Sequence, residues 1–265
     1  MIKILTVIGA RPQIIKAAAI SRAVREKQRV GELCSGMRFA DEVTEKILHT
    51  GQHYDENMSA VFFDELGIPQ PDYNLGVGSG KHGEQTAKMI AGIEEVLLKE
   101  HFDGILLYGD TNSTLAGAVA ASKIHVPIFH VEAGLRSHNM AMPEEVNRIV
   151  CDQLSSILFP PTETGLRNLM EEGFLRSKAH FKDGKDRRVV NSGDVMYDNS
   201  LYYSGLAKER CDIIKRLGLT RGGYVLATIH RDNNTDNKER LTSIFRALLD
   251  IAEKERIDIV LPLHP

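Results

Sequence analysis

Acidic side chains recur in this chain where apolar, strand-like runs come to an end. Residues 104–108 lead into Gly109 and Asp110, and residues 126–131 lead into Glu132, with Arg136 four positions on. Glu144 and Glu145 follow Pro143, a pattern that opens helices. A parallel α/β sheet binds its ligands outside the carboxyl ends of its strands. Carboxylates gathered there can give and take protons, and an arginine among them can hold an anion. The set therefore points to acid–base chemistry on an anionic ligand; a plain core would leave such positions apolar.

Two further strand ends carry cations. At Gly9-Ala10-Arg11-Pro12 a phosphate could meet both a guanidinium and a helix N-terminus. His230-Arg231 follows the apolar residues 224–229, and a histidine there could bind phosphate or move protons. Each residue also has a structural reading. Asp110, before Thr111, Asn112 and Ser113, could cap the next helix. Glu144 and Glu145 suit a helix dipole without any catalysis. His130 and Glu132 lie two apart on a strand and are expected on one side of it, so Glu132 could pair with His130 or Arg136 instead of reacting. Taken together, the endings favour function. The sequence has no G-x-G-x-x-G, H-E-x-x-H or G-x-S-x-G pattern, which leaves a dinucleotide fingerprint, helix-borne metal hydrolysis and a serine elbow unsupported.

The scaffold that positions these residues follows from the alternation of short apolar runs with helical periods, the pattern of a doubly wound parallel sheet in an α/β protein. Strands are expected at residues 3–8, 47–50, 104–108, 127–131 and 157–159, and helices at 14–26, 84–100, 112–124, 144–153 and 163–172. Met89, Ile90, Ile93, Val96 and Leu97 recur at the three- and four-residue spacing of one helix face. Residues 30–44 read as an inserted loop and residues 177–188 as an exposed connection. A second unit is expected to start at Val189: a strand, a helix at 208–217, a strand at 224–229, a helix at 238–253 and a strand at 257–262. The expected domains are thus 1–188 and 189–265, the second incomplete.

A chain of 265 residues can bury a substantial core. Its formal net charge of −3 gives no broad surface for nucleic acid, so an anionic ligand must be held by local cations. Cys34, Cys151 and Cys211 have no CxxC spacing, which argues against a disulfide framework or a zinc knuckle and suits a reducing compartment. The apolar N-terminal run is too short for a signal-peptide core, and no run approaches the ~18 apolar residues of a membrane span. A cytoplasmic protein without a membrane partner is expected.

Seven segments follow one another along the chain: Gly9-Ala10-Arg11-Pro12 with Lys16, Thr50-Gly51-Gln52-His53, Gly109-Asp110-Thr111, residues 130–136, residues 143–148, Pro161-Thr162-Glu163 and His230-Arg231. This ordered set resembles the non-hydrolysing UDP-N-acetylglucosamine 2-epimerase family. The resemblance implies two Rossmann-like domains of the GT-B type, the second binding nucleotide, and a homodimer. It implies a reaction in which UDP is eliminated across C1 and C2 of a UDP-N-acetylhexosamine and added back with C2 inverted. Asp110, Glu132, Glu144 and His230 are then the catalytic groups, and Arg11, Lys16, Gln52, His53, Arg136 and Arg231 bind substrate, with no redox or metal cofactor. Gln13 in place of glutamate, Tyr54-Asp55 after His53, and residues 192–196 look more like the branch acting on UDP-2,3-diacetamido-glucuronic acid, and put activation by substrate in doubt. Family members also continue past Pro265, so residues 1–265 alone are expected to turn over weakly or not at all. A GT-B glycosyltransferase, a hydrolysing epimerase and a non-catalytic nucleotide-sugar module are the competing readings.

Overall fold

The computed structural model describes residues 2–30, 43–52, 63, 67–175, 186–230 and 232–262. The chain divides into two compact units, Met1–Leu201 and Tyr202–Pro265. The first carries a seven-stranded sheet of β1 (Ile2–Ile8), β2 (Val43–His49), β3 (Tyr73–Asn74), β4 (Gly104–Tyr108), β5 (Ile128–Val131), β6 (Ile157–Phe159) and β7 (Arg188–Val189). The spatial order is β3-β2-β1-β4-β5-β6-β7, and every pairing is parallel. The α/β class and the doubly wound sheet are as the sequence predicts.

Parallel strands covered on both faces must be apolar throughout, and all five residues of β4 are buried. Leu5, Val7, Ile105 and Leu107 pack with Met89 and Ile93 of α2 (His82–Lys99) and with the small Ala116 and Ala121 of α3 (Asn112–Lys123). Their strand neighbours Ile8, Leu106 and Tyr108 point the other way and meet Ile14, Ala17 and Ala18 of α1 (Arg11–Val30). Helices α4 (Pro143–Leu154) and α5 (Glu163–Glu171) follow β5 and β6. The strand order reverses between β1 and β4, so the crevice of a doubly wound sheet opens outside their carboxyl ends. Residues 9–11 and 109–111 sit there.

In the second unit β8 (Tyr224–Leu226) and β9 (Asp258–Val260) pair in parallel, linked through α9 (Lys238–Glu255). Asn237 caps α9 by accepting from the Arg240 amide, and Arg256, in the left-handed region at φ 52°, ends it. Short α7 (Ile213–Arg216) and α8 (Asp232–Thr235) complete the elements described there.

Two expectations change, and one strand, β3, was not anticipated. The strand at Val189, read as the opening of a second unit, pairs with β6 at the edge of the first sheet. The helix expected at 208–217 is two helices, α6 (Val195–Arg210) and α7, with Asp194 accepting from the Met196 amide at the start of α6. The two-residue β3 is too short to show a period. Of the loop read at 30–44, Val30 ends α1 and Val43 and Thr44 begin β2; residues 31–42 lie outside the described ones, as do 177–185 of the connection read at 177–188.

Candidate active site

Asp110, Glu132 and Lys16 meet at the strand ends. Gly109 makes the turn after β4 with φ +63°, and a Cβ on it would lie 3.1 Å from Lys16 Nζ and 3.2 Å from Glu132 Oε2. A side chain at position 109 would be strained and would crowd both groups. Lys16, one turn and a half into α1, forms an ion pair with Glu132; their side chains are 12% and 22% exposed. Asp110 does not cap α3. Thr111 does, its hydroxyl accepting from the Thr114 amide, so the Asp110 carboxylate is available to the crevice.

Helix α4 grips Asp110 twice. Asn147 Nδ2 donates to the Asp110 carbonyl at 2.9 Å, and the Arg148 guanidinium donates to the Asp110 carboxylate. Burial pushes the Asp110 carboxyl above its usual range; Arg148 opposes this, Glu132 adds to it, Lys16 opposes and Glu144 adds. These couplings put Glu144, exposed in the first turn of α4, within electrostatic reach of the same carboxyl. The adjacent Glu145 has a different task. It is buried and accepts from the Ser137 and His138 amides, both at 2.9 Å, tying the loop after β5 to α4. Burial works to raise Glu145, and those two amides, with the charge of Arg136, bring it below the usual carboxylate range.

His130 and Glu132 do not share a side. Glu132 has φ +72°, in the left-handed region, which ends the alternation of β5 just before its carboxylate. His130 instead lies in the core, fully buried, with Nδ1 2.6 Å from Asp152 Oδ1 and Nε2 2.8 Å from the Gly109 carbonyl. Asp152 Oδ2 accepts from the Gly134 amide at 3.0 Å and from Arg136 Nη1 at 2.7 Å. Arg136 also forms a two-pronged pair with Glu172, 2.7 and 2.8 Å.

The side chain of Arg136, expected to hold a diphosphate, is 2% exposed, and its guanidinium is engaged by Asp152 and Glu172. Gln52, also expected to touch substrate, is buried, with Oε1 accepting from the Ser113 amide at 3.1 Å and hydroxyl at 2.8 Å. Gln13 is a buried tie between strand ends. Its Oε1 accepts from the Gly9 and Ala10 amides, and its Nε2 donates to the Tyr108 carbonyl and the Thr114 hydroxyl. Arg11 begins α1 beside Pro12 at the crevice, half-buried. His230 lies exposed in the second unit beyond β8, and its carbonyl accepts from Asn234. His53 and Arg231 lie outside the described residues.

Sequence reading passed over Asp152, Asn147 and Arg148 as site-shaping groups. A signal was present: Glu145, Arg148 and Asp152 fall at i, i+3 and i+7 of α4, one helix face, and Glu145 and Asp152 are buried on it. Charged residues at that spacing on a buried face need partners.

A doubly wound parallel sheet with Asp110, Glu132, Lys16 and Arg148 gathered at its carboxyl ends defines an α/β protein whose crevice is lined by ionisable groups. The chain belongs to the UDP-N-acetylglucosamine 2-epimerase family, whose model matches residues 37–265. It is 50% identical over 263 residues to a UDP-2,3-diacetamido-2,3-dideoxy-D-glucuronate 2-epimerase of Pseudomonas aeruginosa, covering 99% of this chain and 67% of that one. It is 40% identical over 268 residues to a UDP-N-acetylglucosamine 2-epimerase of Methanococcus maripaludis, covering 100% and 66%. Among solved structures it resembles the Methanocaldococcus jannaschii UDP-GlcNAc 2-epimerase in complex with UDP-GlcNAc and UDP, at TM-score 0.78 and 40% identity over 100% of this chain and 66% of that one. The Neisseria meningitidis UDP-GlcNAc 2-epimerase bound to UDP-GlcNAc gives TM-score 0.78 at 28% identity, over 99% and 66%. The chain spans about two thirds of the length of these relatives.

Proposed function

We propose that Asp110, Glu132 and Glu144 invert C2 of a UDP-N-acetylhexosamine by eliminating and re-adding UDP. The observation that carries this is the place of Asp110 at the sheet's switch point, paired with Arg148 and within the influence of Glu132, Lys16 and Glu144, with Glu132 itself paired with Lys16. The C2 hydrogen of such a sugar has no adjacent carbonyl to acidify it. Stretching the C1–O bond first builds positive charge at C1, and a carboxylate then removes the C2 proton. The C2–H electrons form the C1–C2 double bond of a glycal, and the C1–O electrons leave with UDP. Re-addition of UDP, with a proton delivered to the opposite face, completes the inversion.

Asp110, with its raised affinity for a proton, suits the donor, and Glu132 beside Lys16 suits the acceptor. Glu144 supplies negative charge near C1. Arg11 is proposed as a phosphate contact from its place at the crevice. Roles for His53, His230 and Arg231, nucleotide binding by the second domain and a homodimer rest on family resemblance, and residence in the cytoplasm on the spacing of the cysteines; the dimer is checked by the mass in solution. Arg136 and Gln52 are withdrawn from substrate contact because their polar groups are engaged inside the protein.

The identity of 50% to the Pseudomonas aeruginosa enzyme supports a second reading, a UDP-2,3-diacetamido-2,3-dideoxyglucuronate as substrate with the same chemistry. Prolonged incubation with either UDP-sugar in deuterated water tests both, since a mass shift accumulates even at low turnover. Deuterium at C2 with both epimers present supports the mechanism, and the sugar that is labelled names the substrate. Protium retained at C2 of both by a chain extended to the full length of these relatives would sink it.

A further inference from the structure

We propose that His130 is a permanently charged, buried positioning residue, an imidazolium whose Nε2–H holds the Gly109 carbonyl and thereby sets the Gly109–Asp110 turn. The inference rests on the role given to Asp110 above. Both ring nitrogens face acceptors. Nε2 is 2.8 Å from a carbonyl oxygen, which can only accept, and Nδ1 is 2.6 Å from Asp152 Oδ1. A neutral ring has one proton, so it would leave one nitrogen lone pair against an oxygen lone pair unless Asp152 itself held the proton. Asp152 is kept from doing so by its other oxygen, which accepts from Arg136 Nη1 at 2.7 Å and from the Gly134 amide at 3.0 Å.

The groups around the ring fit this assignment. From α4 come Asp152 and Cys151, from the loop after β5 comes Arg136, and Glu172 closes the far side of Arg136. The charges alternate from His130 through Asp152 and Arg136 to Glu172, and only Glu172, at 34% exposure, reaches solvent. A buried pair is costly unless its remaining donors and acceptors are met, and here the four groups meet one another. Burial disfavours charge on His130, yet Cys151 and then Asp152 hold it well above the usual imidazole range, and Asp152, though burial works to raise it, is lowered by His130 and Arg136. What this secures is a peptide plane. Gly109 has φ +63° and no side chain, so the 109–110 peptide is the joint most able to rotate. Its rotation would swing Asp110 away from Arg148, Lys16 and Glu132.

The test uses the whole chain with ¹⁵N-labelled histidine and ¹³C-labelled glycine and aspartate, His130 being assigned by its absence in His130→Gln. From about pH 5 to about pH 9, a range spanning the free imidazole value of about 6.5, both ring nitrogens of His130 should stay protonated with no titration. A deprotonated nitrogen appearing in that range overturns the charge assignment. Asp152→Asn should restore a titration to His130, and the Asp110 carboxyl and Gly109 carbonyl resonances should move with the same midpoint. A flat Asp110 signal in that folded variant overturns the positioning role, leaving His130 merely structural. Should neither variant fold, the wild-type coupling across the hydrogen bond, from His130 Nε2 to the Gly109 carbonyl carbon, decides it: present, the role stands; absent, it falls. No UDP-sugar enters these measurements, so their failure and that of the epimerase reading are told apart.

Discussion

Replacing Arg148 with methionine removes the positive charge that opposes protonation of Asp110 while keeping most of the side-chain length. Burial, Glu132 and Glu144 already raise that carboxyl, and Arg148 is the largest influence against them. Opposite unit charges about 4 Å apart interact by roughly 4 kcal/mol at an effective dielectric constant of about 20, and a cation at this range shifts a carboxyl by about 1 to 3 pKa units. In Arg148→Met the Asp110 value should therefore rise by about 1 to 3 further. The sign for stability follows. The folded carboxyl then binds its proton more tightly than the unfolded one, whose value is about 3.9, so stability falls as pH rises from about 4 through the raised folded value. Each unit of the rise costs about 1.4 kcal/mol above that window and nothing below it. Titration of the Asp110 ¹³C-carboxyl resonance, assigned with Asp110→Asn, reads the first effect, and urea denaturation across pH reads the second. An unchanged Asp110 midpoint, or a pH–stability profile parallel to wild type, would refute the reasoning.

Gly9→Ala should destabilise the chain by about 1 to 3 kcal/mol or more, because the new Cβ would fall 2.1 Å from both the Ser113 and Thr50 hydroxyls; a thermal melt checks this. Gln13→Ala should cost about 1 to 3 kcal/mol by orphaning the Gly9 and Ala10 amides, while the Tyr108 carbonyl keeps the Thr114 hydroxyl, measured by urea denaturation. At the opposite end of the sheet, Lys3 and Tyr73 hold Glu100 at about 2. That lowered value gives stability present above about 4.5 and lost as pH falls toward 2. Glu100→Gln should flatten this acid limb, and a variant whose acid limb matches wild type would remove Glu100 from the account.

The parallel sheet and its carboxylate-ended strands were legible in sequence because both depend on neighbours along the chain. Apolar runs such as residues 104–108 signal buried strands by themselves, and Asp110 directly follows one. What stayed hidden depends on groups far apart in sequence. Lys16 meets Glu132 across 116 residues, and His130 meets Asp152 across 22, from a strand to a helix. No periodicity reports such pairs. Helix α6 escaped for another reason: only Asn199 is buried on it, so it has no apolar stripe to announce a helical period. The burial of Arg136 against Asp152 could not be foreseen from type and spacing alone.

The left-handed backbone at Glu132 bears on any attempt to rebuild this site elsewhere. A designer copying His130 and Glu132 onto a regular strand of another sheet would place both on one face, either drowning the glutamate in a core or exposing the histidine to water. One torsion angle keeps the two apart, sending the histidine inward and the glutamate to Lys16. The transferable unit is accordingly the tripeptide with its twist, together with Asp152 to receive the histidine and Lys16 to receive the glutamate.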